Sequence, residues 1–498
     1  MVPRSLIRLA AVVLVPIVFL ALLEGGLRLF GLGAPIAPVL GSEVDASGEQ
    51  QIVIRAPRTA LMGRRQFNPQ SVPARKAEAE YRVLLIGGSL TYGWPYDDSV
   101  SFPRLLAVGL AAVDSATPWR VVNLGAPGWG SSRLRAISEQ LVSLDPDLVV
   151  ITTGNNEMLD ALAGAGAPPP RSLTGQLLRQ LYRRSYLVNL MATGLRPLAV
   201  SLLSGRVRAL HAVEPEGRAI LVEDHAANLD ALATTFRSAG ARVYLSTVPV
   251  NLRGTRPFGE DAPGEPLGSD DTELARTYGE ALALVEAGRG GDTRVALEGL
   301  VRRAPESARV AYLYARALEA GGHLAAARRA YTRALDLDRF PLRTFGALNR
   351  NAARVAAEKG IRLVDLAAAM AKASSDIAPG DDLFLDNAHP NRRGNAVLAL
   401  AVAGSMEADG VLTASAGWRR RFLTAVRDYL NELEIQLETR VAAQEFLLFY
   451  YREFDTDADR VRAIENRLQA LRAGSGMPNS RQSAAPRTMK GTGSARPN

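Results

Sequence analysis

Residues 81–93 read Tyr-Arg-Val-Leu-Leu-Ile-Gly-Gly-Ser-Leu-Thr-Tyr-Gly, and the fold turns on how this stretch is read. Val83 to Ile86 is a short apolar, β-branched run of the kind that makes a buried parallel strand, and it breaks into Gly87-Gly88 just before Ser89. A serine there sits at the carboxyl end of a strand, where open α/β sheets keep their active sites. Gly87, Gly88 and Gly93 permit tight turns, and a helical segment follows from about Val100, so the Ser89 hydroxyl and N–H can both face a ligand. Taken alone, the same residues also fit a strand-to-helix turn whose serine merely caps the backbone.

Four further strand candidates lie downstream, at 120–124, 147–152, 242–247 and 362–366. Each follows a helical segment, at 103–113, 133–144, 221–239 and 344–359. Strands alternating with helices imply βαβ crossovers, a five-stranded parallel sheet and helices on both faces. Functional residues then collect in the loops after the strands.

Three of those loops carry chemistry. Asn123-Leu-Gly-Ala-Pro-Gly-Trp-Gly-Ser131 holds Gly125, Gly128 and Gly130, which let backbone N–H groups approach a ligand closely. Thr153-Gly-Asn-Asn-Glu157 offers side-chain amides that donate to an oxygen. Leu383-Phe-Leu-Asp-Asn-Ala-His-Pro-Asn391 sets Asp386 three residues before His389, a spacing that brings a carboxylate to the ring nitrogen turned away from the substrate. Singly, each also reads as an ordinary glycine-rich or Asx turn, or a turn aspartate beside a surface histidine.

Together the blocks resemble the SGNH, or GDSL-type, hydrolase family: Ser89 in GGSLTYG, Gly128 in NLGAPGWG, Asn156 in GNNE, and Asp386 with His389 in DNAHP, in that order. The resemblance covers residues 80–405 without the insertions. It implies a flavodoxin-like three-layer α/β/α sandwich and hydrolysis of lipid, acylated-sugar or other small acyl esters. Two departures stand out: the family's Gly-Asp-Ser is Gly87-Gly88-Ser89 here, and its Gly-x-Asn-Asp is Gly154-Asn155-Asn156-Glu157. On this resemblance Ser89 is the nucleophile, His389 the base and Asp386 its orienting carboxylate. The N–H groups of Ser89 and Gly128 and the Asn156 amide form the oxyanion hole. Three functions fit: a membrane-tethered exported esterase, an O-acyltransferase acting on envelope polysaccharide, or an interaction scaffold with a silent site. No cofactor or metal is expected, and the remaining histidines, His211, His225 and His323, are assigned to the surface.

The chain has 498 residues, 47% of them apolar, enough for a full core and more than one domain. Cysteine is absent, which removes thiol catalysis, Cys-ligated zinc and disulfides. Of the formal charge of +8, Arg481, Arg487, Lys490 and Arg496 supply half from the tail, so the body is only mildly basic and no nucleic-acid partner is expected. At the other end, Arg4 and Arg8 precede an apolar run from Leu9 to Leu23 without a good cleavage site. This reads as a signal anchor over 1–30, a single-pass membrane helix with the catalytic domain outside the cytoplasm; a cleaved signal peptide is the alternative.

The expected organisation continues with a linker over 31–80, a hydrolase domain over 81–406, a helical segment over 415–472 and a disordered basic tail over 474–498. Ser172 to Leu203 is an amphipathic helical stretch, either a cover over the site or a membrane contact. Residues 271–339 carry a tetratricopeptide-like pattern, with Ala315, Gly322, Ala327, Tyr331 and Ala334 at packing positions. This insert is expected to be peripheral to the chemistry, to pack on the body, and to offer a surface to a protein partner. Thr247 to Arg253 is expected to line the pocket.

Overall fold

The computed structural model describes residues 4–30, 39–54, 67–162, 185–188, 190–191, 215–259, 272–452 and 458–473. In chain order its strands are β1 (Leu40–Val44), β2 (Gln50–Ile54), β3 (Gln70–Pro73), β4 (Tyr81–Gly87), β5 (Trp119–Gly125), β6 (Leu148–Thr152), β7 (Arg242–Ser246) and β8 (Arg362–Val364). The last five form one parallel sheet in the order β5-β4-β6-β7-β8. Relative to these five, that is the order 2-1-3-4-5, whose switch point falls beside the first strand. β4 is flanked by β5 and β6, with Ile86 opposite Leu124 on one side and Ile151 on the other.

Because side chains alternate along a strand, β4 serves two cores at once. Leu84 and Ile86 join Val149, Ile151 and Leu245 under the helices Ser131–Val142, Pro215–Ser238 and Gly346–Lys359. Val83 and Leu85 face the other way, with Leu148, Val150 and Tyr244, under Phe102–Val113, Leu366–Ala373 and Arg392–Ala408. Both faces of the sheet are therefore covered, and continuous apolar runs replace the alternation of a half-exposed strand. The expected three-layer α/β/α arrangement with five parallel strands is the observed one.

Several expectations need correction. The stretch 31–80 is not simply a spacer, since β1, β2 and β3 pair antiparallel within it. The β-branched Ile52-Val53-Ile54 favours a strand, and Gly48, at φ +86°, allows the turn that Asp45 closes by accepting from the Ser47 and Glu49 N–H groups. Val39, Ile54, Phe67 and Val72 then bury into the first core. Arg82, fully buried, ties this small sheet to the body by pairing with Glu80 at 2.7 Å and donating to the Pro73 and Leu144 carbonyls.

At the amino end a helix does form, Arg4–Leu29, containing Pro16. Its apolar run stops at Glu24, which pairs with Arg28, and among the described residues no helix is long and apolar enough to cross a membrane. The expected membrane span is not supported there.

The segment 415–472 does not form one piece. The chain divides into units 1–433 and 434–498. Helix Trp418–Glu432 belongs to the first, where Phe422 fills the space left by Gly109 and the Tyr429 hydroxyl donates to the Ser99 carbonyl. The second unit contains the helices Leu437–Tyr450 and Ala458–Ala473, joined by an Arg472–Glu445 ion pair.

The insert after β7 is helical as expected: Thr272–Glu286, Arg294–Arg303, Ala308–Ala320 and Leu324–Leu337. Ala315, Ala327, Tyr331 and Ala334 are buried together in the last hairpin. Helix pairs are what the structure supports; the tetratricopeptide name is not. The expectation for Ser172–Leu203 lies almost entirely outside the described residues.

Candidate active site

Three strand ends and one late turn converge. Ser89 opens the one-turn helix Ser89–Tyr92 directly after β4, and Ala126, following β5, is tied back to the end of β4 by donating to the Gly87 carbonyl. Across the sheet, residues 383–391 fold back on themselves: Leu385 N–H donates to the His389 carbonyl and Asn391 N–H to the Leu383 carbonyl. This turn delivers His389 Nε2 to 2.8 Å from Ser89 Oγ, although 300 residues separate them. His389 Nδ1 lies 2.6 Å from Asp386 Oδ2, and Asp386 Oδ1 accepts the N–H groups of Ala388 and His389. Asp386 is fully buried while Ser89 and His389 keep a sliver of exposure. The carboxylate is thus held by main-chain donors, the imidazole by the carboxylate, and the serine by the imidazole.

Asn156 stands on the other side of Ser89. Its amide donates to the Trp129 carbonyl at 3.0 Å, linking the loop after β6 to the glycine loop after β5. A Cβ on Gly88 would fall 2.5 Å from that amide and 3.0 Å from the Trp129 carbonyl oxygen. The departure from the family's aspartate has a local reason: here the amide packs where an aspartate stem would be. A cleft of about 10 Å³ is lined by Ser89, Leu90, Trp129, Asn155, Asn156 and Val248, among others. Gly128 is not among its lining residues; it adjoins Trp129, with φ +76° and its carbonyl accepting from Arg133.

Glu157, the second departure, has a task that sequence reasoning missed. Its buried carboxylate accepts the N–H and hydroxyl of Ser131 and the hydroxyl of Thr153, so it caps the helix that begins where the glycine loop ends. Asp160, one turn further on, accepts from Arg133 N–H and pairs with the Arg133 guanidinium at 3.1 Å. Burial pushes both carboxyls up, and the neighbouring Glu157 charge adds to burial in taking Asp160 to about 7. His225 corrects its surface assignment: it is buried under Thr153, and burial lowers its pKa to about 4. His323 is exposed, and His211 lies outside the described residues.

With this geometry in view, residues 85–293 match the family model described as "GDSL-like Lipase/Acylhydrolase family". The chain carries a GDSL-type acylhydrolase domain. It is an ester hydrolase. The matched stretch of the GDSL-type domain holds Ser89, Gly128 and Asn156 but ends before the Asp386 and His389 turn, which only the fold brings back. No curated protein matches the chain. Among solved structures, an acetylxylan esterase from Geobacillus stearothermophilus aligns at 15% identity and a TM-score of 0.31, over 66% of this chain and 94% of its own. An alpha/beta hydrolase from the Lake Arreo metagenome aligns at 16% and 0.33, over 68% and 99%. A GDSL-like lipase from Bacteroides thetaiotaomicron aligns at 12% and 0.30, over 66% and 88%.

The insert packs on the body, as expected, through the loop after β7. Arg253, in the loop after β7, pairs with Glu319 of the insert at 2.6 Å, and the Tyr312 hydroxyl donates to the Arg253 carbonyl. Asn251 in the same loop is fully buried, and its amide donates to the Asp386 carbonyl while its own N–H donates to the Asn387 carbonyl. On leaving the insert, the chain accepts from Asn387 at the Leu342 carbonyl and donates from Thr344 N–H to Asn155. Of the stretch expected to line the pocket, Val248 does so, whereas Asn251 works from behind. Only its place after a strand hinted at this, because a buried amide and a surface turn amide look alike in sequence.

Proposed function

We propose that the protein hydrolyses a small ester by a Ser-His-Asp mechanism. The observation that carries this reading is the 2.8 Å contact between His389 Nε2 and Ser89 Oγ, with Asp386 on the far ring nitrogen. Ser89 Oγ attacks the acyl carbon as His389 takes its proton, and the imidazolium returns that proton to the leaving alcohol. Water then repeats the sequence on the acyl-serine, releasing the acid. Asp386 keeps the proton of neutral His389 on Nδ1 and stabilises the imidazolium. By the family pattern the N–H groups of Ser89 and Gly128 and the second N–H of the Asn156 amide serve the developing oxyanion, and loss of one such donor costs about 2.7–4 kcal/mol. The cleft beside Ser89 has Leu90, Trp129 and Val248 in its lining, apolar surface for the acyl group. The alcohol part belongs to a small molecule, a glycan or a lipid.

A fluorophosphonate probe tests the reading. It should label Ser89 in the parent and leave His389→Ala unlabelled; undiminished labelling of Ser89→Ala would overturn it. A panel of esters of rising acyl length reads out the acyl preference, and appearance of free acid distinguishes hydrolysis from transfer to an added glycan.

The location is part of the same proposal. Arg4 and Arg8 ahead of the apolar run support export, and Leu20, Leu22, Leu29 and Phe30 are exposed on or beside the N-terminal helix, as membrane contact requires. A reporter active only outside the cytoplasm, fused after Asn498, should be active and sediment with membranes. Reporter activity confined to the cytoplasm would sink this part. The helical insert is the proposed surface for a protein partner.

A further inference from the structure

Asn155 differs from its neighbour Asn156 in what its amide meets. It is 8% exposed and lines the cleft beside Ser89. Its Oδ1 accepts the Thr344 N–H at 2.8 Å. A main-chain N–H only donates, so the oxygen must face Thr344 and the NH₂ group is fixed on the other side. Among the described residues that nitrogen has no hydrogen-bond partner, and neither has the Thr344 hydroxyl. The hydroxyl sits against Gly154, where a Cβ would come within 2.5 Å of it. Leaving a buried amide N–H unmade costs about 1–3 kcal/mol, a cost that a ligand oxygen would remove.

We propose that Asn155 is a substrate-binding donor: its amide N–H, oriented by the segment that leaves the helical insert, bonds an oxygen of the ester held at Ser89. This rests on the reading of Ser89 as nucleophile. The acceptor is an oxygen of the ester group itself or a hydroxyl of its alcohol part, and both present the same chemistry to an N–H. Thr344 N–H, by donating to the amide oxygen, leaves the amide nitrogen as the end available to a ligand.

Asn155→Asp keeps an oxygen for Thr344 and loses the donor; Asn155→Ala loses both without adding charge. Each is assayed, with its thermal midpoint, on an aryl acetate and on an acetylated methyl glycoside. If Asn155→Ala does not fold, Asn155→Ser replaces it. The expected result is a fall in kcat/KM of about 10-fold or more in both variants, with Asn155→Asp melting close to the parent. Equal losses on both esters assign the contact to the ester group, and a loss confined to the glycoside assigns it to the alcohol hydroxyl. Values within about twofold of the parent on both esters overturn the proposal, as does a loss in Asn155→Asp alone. Ser89→Ala is measured alongside: if it retains turnover, the nucleophile assignment has failed. An inactive Ser89→Ala with a fully active Asn155→Asp defeats only this inference.

Discussion

The two halves of the site are built differently. The serine half, with Ser89, Asn156 and the glycine loop, comes from three adjacent strand ends within residues 81–157, locked by the buried carboxylates of Glu157 and Asp160. The histidine half is a turn at 383–391, whose place is set by residues distant in sequence: Asn251 behind Asp386, and Leu342 accepting from Asn387. One half is positioned by the sheet, the other by side chains reaching across insertions. Apart from Ser89 itself, damage to the first should act mainly through the oxyanion, and damage to the second through the base.

The hardest test of that contrast treats the halves as one unit. Ser89→Ala and His389→Ala should each lower kcat for a short aryl ester by about 10⁴-fold or more, and the double variant should lose little beyond either, because nucleophile and base act together. Additive losses would separate the halves and break the picture. Asp386→Asn should come next, at roughly 10³- to 10⁴-fold, since an amide holds the wrong tautomer of His389 while leaving the turn folded.

Within the serine half, Asn156→Ala should cost about 100- to 1,000-fold in kcat with KM little changed; a mainly raised KM would remove Asn156 from the oxyanion. Asn251→Ala should cost about 10- to 100-fold in kcat by loosening the Asp386 turn, a misplacement effect that leaves fluorophosphonate labelling slow but present. Parental labelling in that variant would show the histidine half to be as self-sufficient as the serine half.

The smallest effect concerns stability and sharpens the contrast from the other side. Asp160 is held protonated into the neutral range, so the folded state binds a proton that the unfolded chain has lost. Its contribution is fully present below the unfolded value near 3.8 and is lost as pH rises towards about 7. Asp160→Asn should flatten this part of the profile, so urea midpoints of parent and variant, measured from pH 4 to 8, should differ in slope. Parallel profiles would mean that Asp160 does not hold its proton into the neutral range.

The fold was legible wherever the code is local. Val83 to Ile86 reads as a strand buried on both faces because all four residues are apolar and two are β-branched, and the helices expected at 103–113, 133–144, 221–239 and 344–359 form close to those bounds. The short strands β1 to β3 were not legible, since Leu40–Val44 and Gln70–Pro73 are mixed in composition and become strands only by pairing with Gln50–Ile54. The same limit applied to Glu157, read as a substitution and found to be a cap, and to His225, whose burial comes from the sheet above it rather than from its neighbours in sequence.

By itself the sequence determined the five parallel strands of the sandwich and, through its resemblance to the GDSL-type family, named Ser89, Gly128, Asn156, Asp386 and His389 for the site. Those features depend on residue type and short spacing, which are present in any conformation of the chain. Only the tertiary structure decided that His389 meets Ser89 at hydrogen-bond distance, that Gly88 yields its space to Asn156, and that the Thr344 N–H donates to the Asn155 amide oxygen. Each of these pairs residues that are dozens to hundreds of positions apart. Such contacts form only when the parallel sheet brings its strand ends to one edge.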